Sequence, residues 1–395
     1  MATPAFHTSF PDLAHVGSPC KRVAACLLAM LAFAAGGCVS YPAERTIAVS
    51  ALSAGDTTPP PTLSVMTYNM EGLAWPARSG RKRFLAAMRE EFARMEAAGN
   101  LPDVIVFQEA FSTTALRTAA STPHPFFVPG PRAPTRSGLP KTRDPVLHKR
   151  NYLRGEWGVR VLGSGLAVAS RYPIVEHVSQ PFGPTSCAGW DCLANKSAML
   201  VRIAVPGLAD PVEIATTHMN SQGASKAPPE KHLAAHNAQS AELADFLDRV
   251  SSPESALVLG GDFNMRRSPA RLDAFEQLHG YQLARRHCLD AAAGTASPPC
   301  EIVMSFDGDE PWLDTQDLQI FDDGARIALR PIRIEAWFDG EDAGGKLSDH
   351  DAYVVTYAIL PLSAQTPAPP QPGGTADPVS ARTPRCRSLR ARGCR

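Results

Sequence analysis

Short polar signatures close or open apolar runs along this chain, and their side chains are of the kinds that hold a hard cation and move protons. LSVMTYN ends at Asn69 and DVIVFQE ends at Glu109, so each run finishes on an oxygen donor. VEIATTH ends at His218 with Asn220 close behind, and ALVLGGDFN carries Asp262 and Asn264 two residues apart. The period of a strand aims that last pair the same way. QDLQIF carries Asp317, and LSDHDAYVV opens on Asp349 and His350. Such groups are costly inside a sheet and natural at its rim. Carboxylates, amides and imidazoles gathered in one place suit hydrolysis of a phosphate ester, which needs its oxygens neutralised, a water activated and a leaving oxygen protonated.

These runs must lie on strands, with return segments between them. Lys82 to Asn100 predicts a helix: Phe84, Met88, Phe92 and Met95 recur at helical spacing, and Gly99 stands where a C-terminal cap belongs. A second helix is expected from about Lys231 to Val250, with Leu243, Phe246, Leu247 and Val250 facing inward. Both separate strand-like runs, as a layered α/β fold requires. Pro129–Gly155, Pro181–Asn195 and Ser221–Glu230 read as long surface loops. The first carries Arg132, Arg136, Lys141, Arg143, His148, Lys149, Arg150 and Arg154. It is expected either to face an anionic substrate or lipid headgroup, or to be a plain solvated loop.

With 395 residues, 44% hydrophobic and 20% charged, the chain has apolar content for one large or two medium domains. Its 39 Lys and Arg balance 39 Asp and Glu, so it lacks the global basic field of a non-specific duplex-DNA binder. Lys21 and Arg22, the apolar run Val23–Ala35 and Gly-Gly-Cys-Val-Ser make residues 1–38 read as a signal peptide, too short to span a membrane. Small residues before Cys38 resemble those of a bacterial lipoprotein signal, with Ala35 where leucine is usual. The chain is thus expected to be exported, either tethered through a lipidated Cys38, periplasmic or on the outer membrane, or cleaved without lipid and secreted. Residues 39–61 read as a flexible tether, 62–361 as the folded domain and 362–395 as a disordered Pro- and Arg-rich tail. Outside the leader, Cys187 lies near Cys192, Cys288 near Cys300, and Cys386 near Cys394. Disulfides are expected for the first two pairs, with free buried thiols as the alternative. A monomer is expected.

Taken in order, TYNMEG, FQEAF, TTHMN, GGDFNM and LSDHD resemble the endonuclease/exonuclease/phosphatase superfamily, over roughly Leu63 to Leu360. The resemblance implies an α/β fold, a four-layer sandwich of two packed β-sheets flanked by helices, with one divalent-metal site between the sheet ends. It implies Mg²⁺, with Mn²⁺ or Ca²⁺ as alternatives, held by Glu109, and Asn69 positioning that ligand or the hydrated ion. His350 would be the general base, its ring oriented by Asp349 or Asp317, with Asp314 a rival for the place of Asp317. Asp262 and Asn264 would hold the phosphate and nucleophile in line. His218 would stabilise the phosphoryl oxygens or protonate the leaving group, and Asn220 would contact substrate.

GWDCLANKSAMLVRI resembles the Asp-to-Lys element of sphingomyelinase-type members, with Asp191 and Lys196 in place and Ser197 where those members carry glycine. Lys196 would meet either a substrate phosphate or Asp191. FQEAFSTTALRTA and SGLAVASRYPI lean the same way. The expected function is a divalent-metal-dependent phosphodiesterase leaning to phospholipid headgroup hydrolysis. A secreted nuclease acting on DNA or RNA, and a catalytically silent envelope binding protein of the same fold, are the alternatives.

Overall fold

A computed structural model of the chain describes residues 39–51, 60–75, 77–278, 280–303, 316–338 and 346–362. The leader with Cys38, Asp314, Cys386, Cys394 and the arginine-rich tail lie outside the described residues. Strands β1 (Thr62–Asn69) and β2 (Val104–Gln108) pair in parallel. A parallel pair needs a crossover, and helix α1 (Arg81–Ala97) supplies it. Helix α2 (Thr113–Ala120), β3 (Phe126–Pro129) and β4 (Ala167–Ser170) follow, the two strands extending that sheet antiparallel. A second sheet then repeats the plan. β5 (Ile174–Pro181) and β6 (Ser197–Ile203) lead to β7 (Val212–His218), which pairs in parallel with β8 (Leu257–Asp262) across helix α3 (Pro229–Val250). Helix α4 (Pro269–Leu278), β9 (Gln282–Leu283), helix α5 (Ala284–Ala292), β10 (Glu301–Val303), β11 (Asp317–Asp322), β12 (Ile327–Trp337) and β13 (Ala352–Pro361) complete the chain. The seven-stranded sheet runs β10-β12-β13-β1-β2-β4-β3, and the six-stranded sheet β5-β6-β7-β8-β11-β9.

Side-chain alternation makes the four layers. β1 and β2 send Leu63, Val65, Val104 and Val106 toward Val201, Ile214 and Val258 of the other sheet. Their opposite faces, Met66, Tyr68, Ile105 and Phe107, meet Leu85, Met88, Phe92 and Met95 of α1. On the far side Leu200, Ala215, Leu257 and Leu259 meet Leu243, Phe246 and Leu247 of α3. Each such aliphatic side chain contributes about 1.5–3 kcal/mol when fully buried. The α/β sandwich of two packed sheets flanked by helices is therefore the observed architecture, and its first strand begins at Thr62 and its last ends at Pro361. The helix after β1 ends with Gly99 at φ 73, where Asn100 N–H donates to Met95 O and Gly99 N–H to Glu96 O. Leu85, not Phe84, fills the inward position at its start, and the Phe84 ring lies under the guanidinium groups of Arg81 and Arg83.

The expected tether is laid down on the domain in its first half. Arg45 exchanges two backbone hydrogen bonds with Phe127, and Ile47 N–H donates to Ile174 O. β3 is an edge strand whose free backbone groups need partners, and this segment satisfies them. Both expected disulfides, Cys187–Cys192 and Cys288–Cys300, are formed. No helix among the described residues is long and apolar enough to cross a membrane.

Above the apolar interior the two sheets are tied by polar side chains. Gln319 of β11 donates to Val65 O at 2.8 Å and Tyr353 O at 3.2 Å in the other sheet, and accepts from the Tyr357 hydroxyl. Gln108 donates to Thr216 Oγ1 at 3.1 Å. Buried amides that bond across the gap in this way help to fix the spacing of the sheets. The strands approach closely here, since a Cβ at Gly261 would lie 2.3 Å from Thr217 O.

Two predictions follow from this packing. Gly261→Ala should destabilise the chain by about 1–3 kcal/mol in urea unfolding, because the obstructing atom is backbone, whereas Gly280→Ala, with open space around it, should change stability little. Equal effects would contradict the described approach of β7 and β8. His124 is buried with Nε2 2.7 Å from Pro102 O, and desolvation lowers its pKa to about 4. An unfolded chain takes up that proton near 6.5, so stability should fall with acid between about pH 6.5 and 4, by on the order of 3 kcal/mol from this group. In His124→Gln, pH-dependent unfolding should show a flatter slope across that window.

Candidate active site

The C-terminal ends of both parallel strand pairs point to one rim. Asn69 ends β1, Glu109 follows β2, His218 ends β7 and Asp262 ends β8. β13 and β11 run antiparallel to these strands, so their beginnings reach the same rim and bring His350 and Asp317. Strand register alone sets His218 opposite Asp262 and Asp262 opposite Asp317. At three of the motifs the backbone leaves the strand through left-handed residues, Glu71, Glu109 and Asn264, with φ of 47, 57 and 53. Non-glycine residues adopt that conformation at a cost, and it re-aims side chains at functional rims. Gly72 of TYNMEG passes over the Glu109 carbonyl, where a Cβ would lie 2.4 Å from that oxygen.

His350 Nδ1 lies 2.6 Å from Asp317 Oδ2. Its Nε2 faces the cleft, 3.5 Å from Asn69 Nδ2, 3.4 Å from Gln316 Nε2 and 3.8 Å from Asp262 Oδ2. Burial opposes charge on the ring, yet the Asp317 and Asp262 carboxylates outweigh it and hold the His350 pKa well above the usual histidine value. Asp317, not Asp349, is thus the carboxylate that orients the ring. Asp349 is half-exposed at the mouth and pairs with Arg78 at 3.2 Å. Asn69 Nδ2 donates to Asp262 Oδ2 at 2.9 Å and its Oδ1 accepts from Glu71 N–H, so Asn69 positions Asp262 across the sheet gap rather than Glu109.

Glu109, His218 and Asp262 each offer a ligand atom, all within 4.8 Å of one another, and Asp262, Asp317 and His350 form a second such group. No Lys or Arg pairs with Glu109 among the described residues, and desolvation, with a smaller push from Asp262, raises its pKa to about 7. A carboxylate stranded in this way fits a cation site. Lys196, almost fully buried, places its ammonium on Asp191 Oδ2 at 3.1 Å, Met219 O at 2.6 Å and His218 Nε2 at 3.1 Å. An ammonium has three hydrogens and no acceptor, so all three are used and His218 Nε2 accepts. Burial first, then the Lys196 and His350 charges, hold His218 neutral, far below its ordinary pKa. Asp191 also accepts from Ser221 N–H at 2.5 Å, so Lys196 meets Asp191 and not an open phosphate position.

Asn264 lines the cleft, donates to Met219 O at 3.0 Å and has its N–H on Asp262 Oδ1 at 2.9 Å. Asn220 does not line it: fully buried, it accepts from Ala188 N–H and donates to Ser221 O, so the expected substrate contact is instead a brace for the loop before Trp190. Behind it the polar first half of α3 supports the motif loops, with Gln239 on Asn220 N–H and Ser186 O, and His236 on Phe263 O. Arg271, without solvent exposure, donates to Asn220 O, Asn264 O and His232 Nδ1. Sequence reasoning missed Arg271, Arg78 and Gln316. Only Gln316, next to Asp317, carried a usable signal. The cleft holds about 360 Å³ and is also walled by Phe111, Leu162 and Trp190.

The profile of the Endonuclease/Exonuclease/phosphatase family matches residues 66–350. Among solved structures, a beta toxin double mutant from Staphylococcus aureus with bound magnesium ions is similar, at 17% identity and a TM-score of 0.52, covering 75% of this chain and 99% of that one. Sphingomyelinase C from Streptomyces griseocarneus is similar at 20% identity and a TM-score of 0.51, covering 76% of this chain and 100% of that one. At such identities the likeness shows a shared fold. No curated protein matches the sequence. The five ordered motifs, their convergence at one rim and a match across most of the folded domain show that the chain belongs to the endonuclease/exonuclease/phosphatase family.

Proposed function

We propose that the chain is an exported, divalent-metal-dependent phosphodiesterase that acts on phospholipid headgroups, as a sphingomyelinase does. One observation carries the hydrolase reading: Asp262 stands between a base pair, Asp317–His350, and a cluster with Glu109 and His218 that fits a hard cation. A divalent ion there, Mg²⁺ or alternatively Mn²⁺ or Ca²⁺, supplies positive charge to the phosphoryl oxygens. His350 Nε2 takes the proton of the attacking water, and Asp317 stabilises the imidazolium that forms. Asn69 keeps Asp262 aligned with both groups. We assign His218, which Lys196 holds beside Asp262 and Glu109, to the phosphoryl side of the cleft, and Asn264 to holding the Asp262 loop. The headgroup reading is supported by Trp190 in the cleft wall, by the formed Asp191–Lys196 pair and by the zero net charge. Export is supported by two disulfides.

The test is hydrolysis of sphingomyelin, plasmid DNA and a bis-aryl phosphodiester, each with and without EDTA. Phosphocholine release abolished by EDTA is expected. Plasmid cleavage without phosphocholine release would establish the nuclease alternative, and no turnover of any substrate would establish the silent binding protein.

Glu109→Gln keeps the shape and removes one charge, so divalent-dependent turnover should fall by at least ~10²-fold at saturating Mg²⁺, in steady-state assays. The pH–rate profile separates the two candidate orienting carboxylates. Activity needs His350 unprotonated, and Asp317 raises its pKa. Asp317→Asn should therefore move the acidic limb to lower pH while cutting kcat by on the order of 10²–10⁴. Asp349→Asn, which removes a smaller contribution, should move the limb less. An acidic limb that ignores Asp317→Asn would remove His350 from the role of base. For placement, Cys38→Ala should release the protein from the membrane fraction, and unchanged fatty-acid incorporation in that variant would remove the anchor.

A further inference from the structure

We propose that the face built from Lys141 to Val159, together with Trp190, docks the chain on an anionic phospholipid bilayer with the cleft mouth beside the lipid. The charge argument starts from a balanced chain. Pro129–Gly155 holds seven Lys or Arg against the single Asp144, in a protein whose formal net charge is zero. Asp144 is used locally, accepting from Val146 N–H at the start of a short helix. Among the described residues, Lys141, Arg143, Lys149, Arg150 and Arg154 have no carboxylate partner. Lys141, His148, Arg150 and Tyr152 instead converge, with Thr185, on an open surface depression. Unneutralised cations gathered on one face attract an anionic surface.

Apolar side chains sit among these charges. Tyr152–Arg154 forms a single 3₁₀ turn that presents Leu153 at 90% exposure and Tyr152 at 61%. Val159 follows Gly158, whose backbone abuts the Arg150 guanidinium, and is also exposed. The backbone at Gly155 abuts the ring of Trp190, and Trp190 is both a wall of the cleft and 43% exposed. Arg154 bonds to Lys226 O, and Trp190 N–H bonds to Ser225 O, so the turn is joined to the 221–227 loop whose Gln222 and Gly223 line the same cleft. The loop after β1, whose Leu73 and Arg78 line the cleft, adds Trp75 at 79% exposure. The turn is rigidly held, because the Glu156 carboxylate accepts from Asn151 N–H, Gly189 N–H and the Lys231 ammonium.

A leucine at the tip of a braced turn, flanked by tyrosine and arginine, has no partner among the described residues and nothing to gain from a nucleic-acid backbone. In the headgroup region of a bilayer its side chain leaves water while the neighbouring ring and guanidinium stay at the polar level. The apolar points therefore favour lipid over a nucleic acid, which the charges alone would also attract. The inference assumes nothing about the bond that is cleaved.

Association of the full chain with vesicles of phosphatidylcholine, and of phosphatidylcholine with phosphatidylglycerol, measures this without turnover. The full chain should prefer the anionic vesicles, and the preference should shrink at high salt. Leu153→Asp touches no packed group, and should weaken binding to anionic vesicles by on the order of tenfold or more. Lys141→Glu with Arg150→Glu should abolish the preference for anionic over neutral vesicles. Both variants should hydrolyse a soluble diester at the same rate as the unaltered chain, which also reports that they fold. Vesicle binding unchanged in both variants would overturn the proposal. So would tight binding of single-stranded DNA that Lys141→Glu with Arg150→Glu removes and Leu153→Asp spares, since the face would then be a nucleic-acid groove.

Discussion

The site depends on two carboxylates, Asp262 and Asp317, held directly opposite each other by the antiparallel register of β8 and β11. Like charges at such positions repel, and here both are buried. The arrangement persists only if positive charge is supplied on each side. His350 supplies it on one side, clamped by Asp317 at 2.6 Å. On the other side Asn69 gives Asp262 a hydrogen bond but no charge, and Glu109 adds a further carboxyl. The ammonium that lies nearby, that of Lys196, has all its hydrogens on Asp191, Met219 O and His218. The negative charge left over is what makes the rim a candidate cation site rather than a buried ion-pair network.

The rest of the fold serves to hold that layer. Two βαβ units place their parallel strands back to back, so four strand ends reach one rim. Below them the interior is stratified: an apolar layer of Val65, Val106, Ile214 and Val258, then the amides Gln108 and Gln319 that bond across the gap. The amide layer sets the sheet separation, and with it the distance between His350 and Asp262. Outside the sheets, the polar half of α3 and the buried Arg271 hold the loops that carry Asn220 and Asn264. These groups do not line the cleft, but Arg271 bonds to the backbone of Asn264, which does.

Much of this was legible in the chain because strand alternation is a local property. Apolar runs ending in Asn69, Glu109, His218 and Asp262 announce strand ends, and helical spacing between them announces crossovers. What stayed hidden was pairing. Whether Asp317 or Asp349 orients His350 depends on β11 lying beside β8, which no local pattern encodes. Asn220 looked like a substrate contact because it sits two residues from His218, but the chain turns after the strand and buries it. The first half of the expected tether is docked because β3 is an edge, again a fact of topology. Met88, Phe92 and Met95 point inward from the helix, Leu85 takes the fully buried place at the start of that face, and Phe84 packs at its edge.

The central claim is that Asp262 joins a cation site to a base, and the most direct test of it is ion binding itself. Calorimetric titration of Mg²⁺ into the unaltered chain should show saturable binding of one ion. Asp262→Asn should weaken that binding by on the order of 10²-fold, whereas Asp349→Asn, altered at the exposed mouth, should bind as the unaltered chain does. Mg²⁺ affinity unaffected by Asp262→Asn, or absent from the unaltered chain along with that for Mn²⁺ and Ca²⁺, would contradict the account.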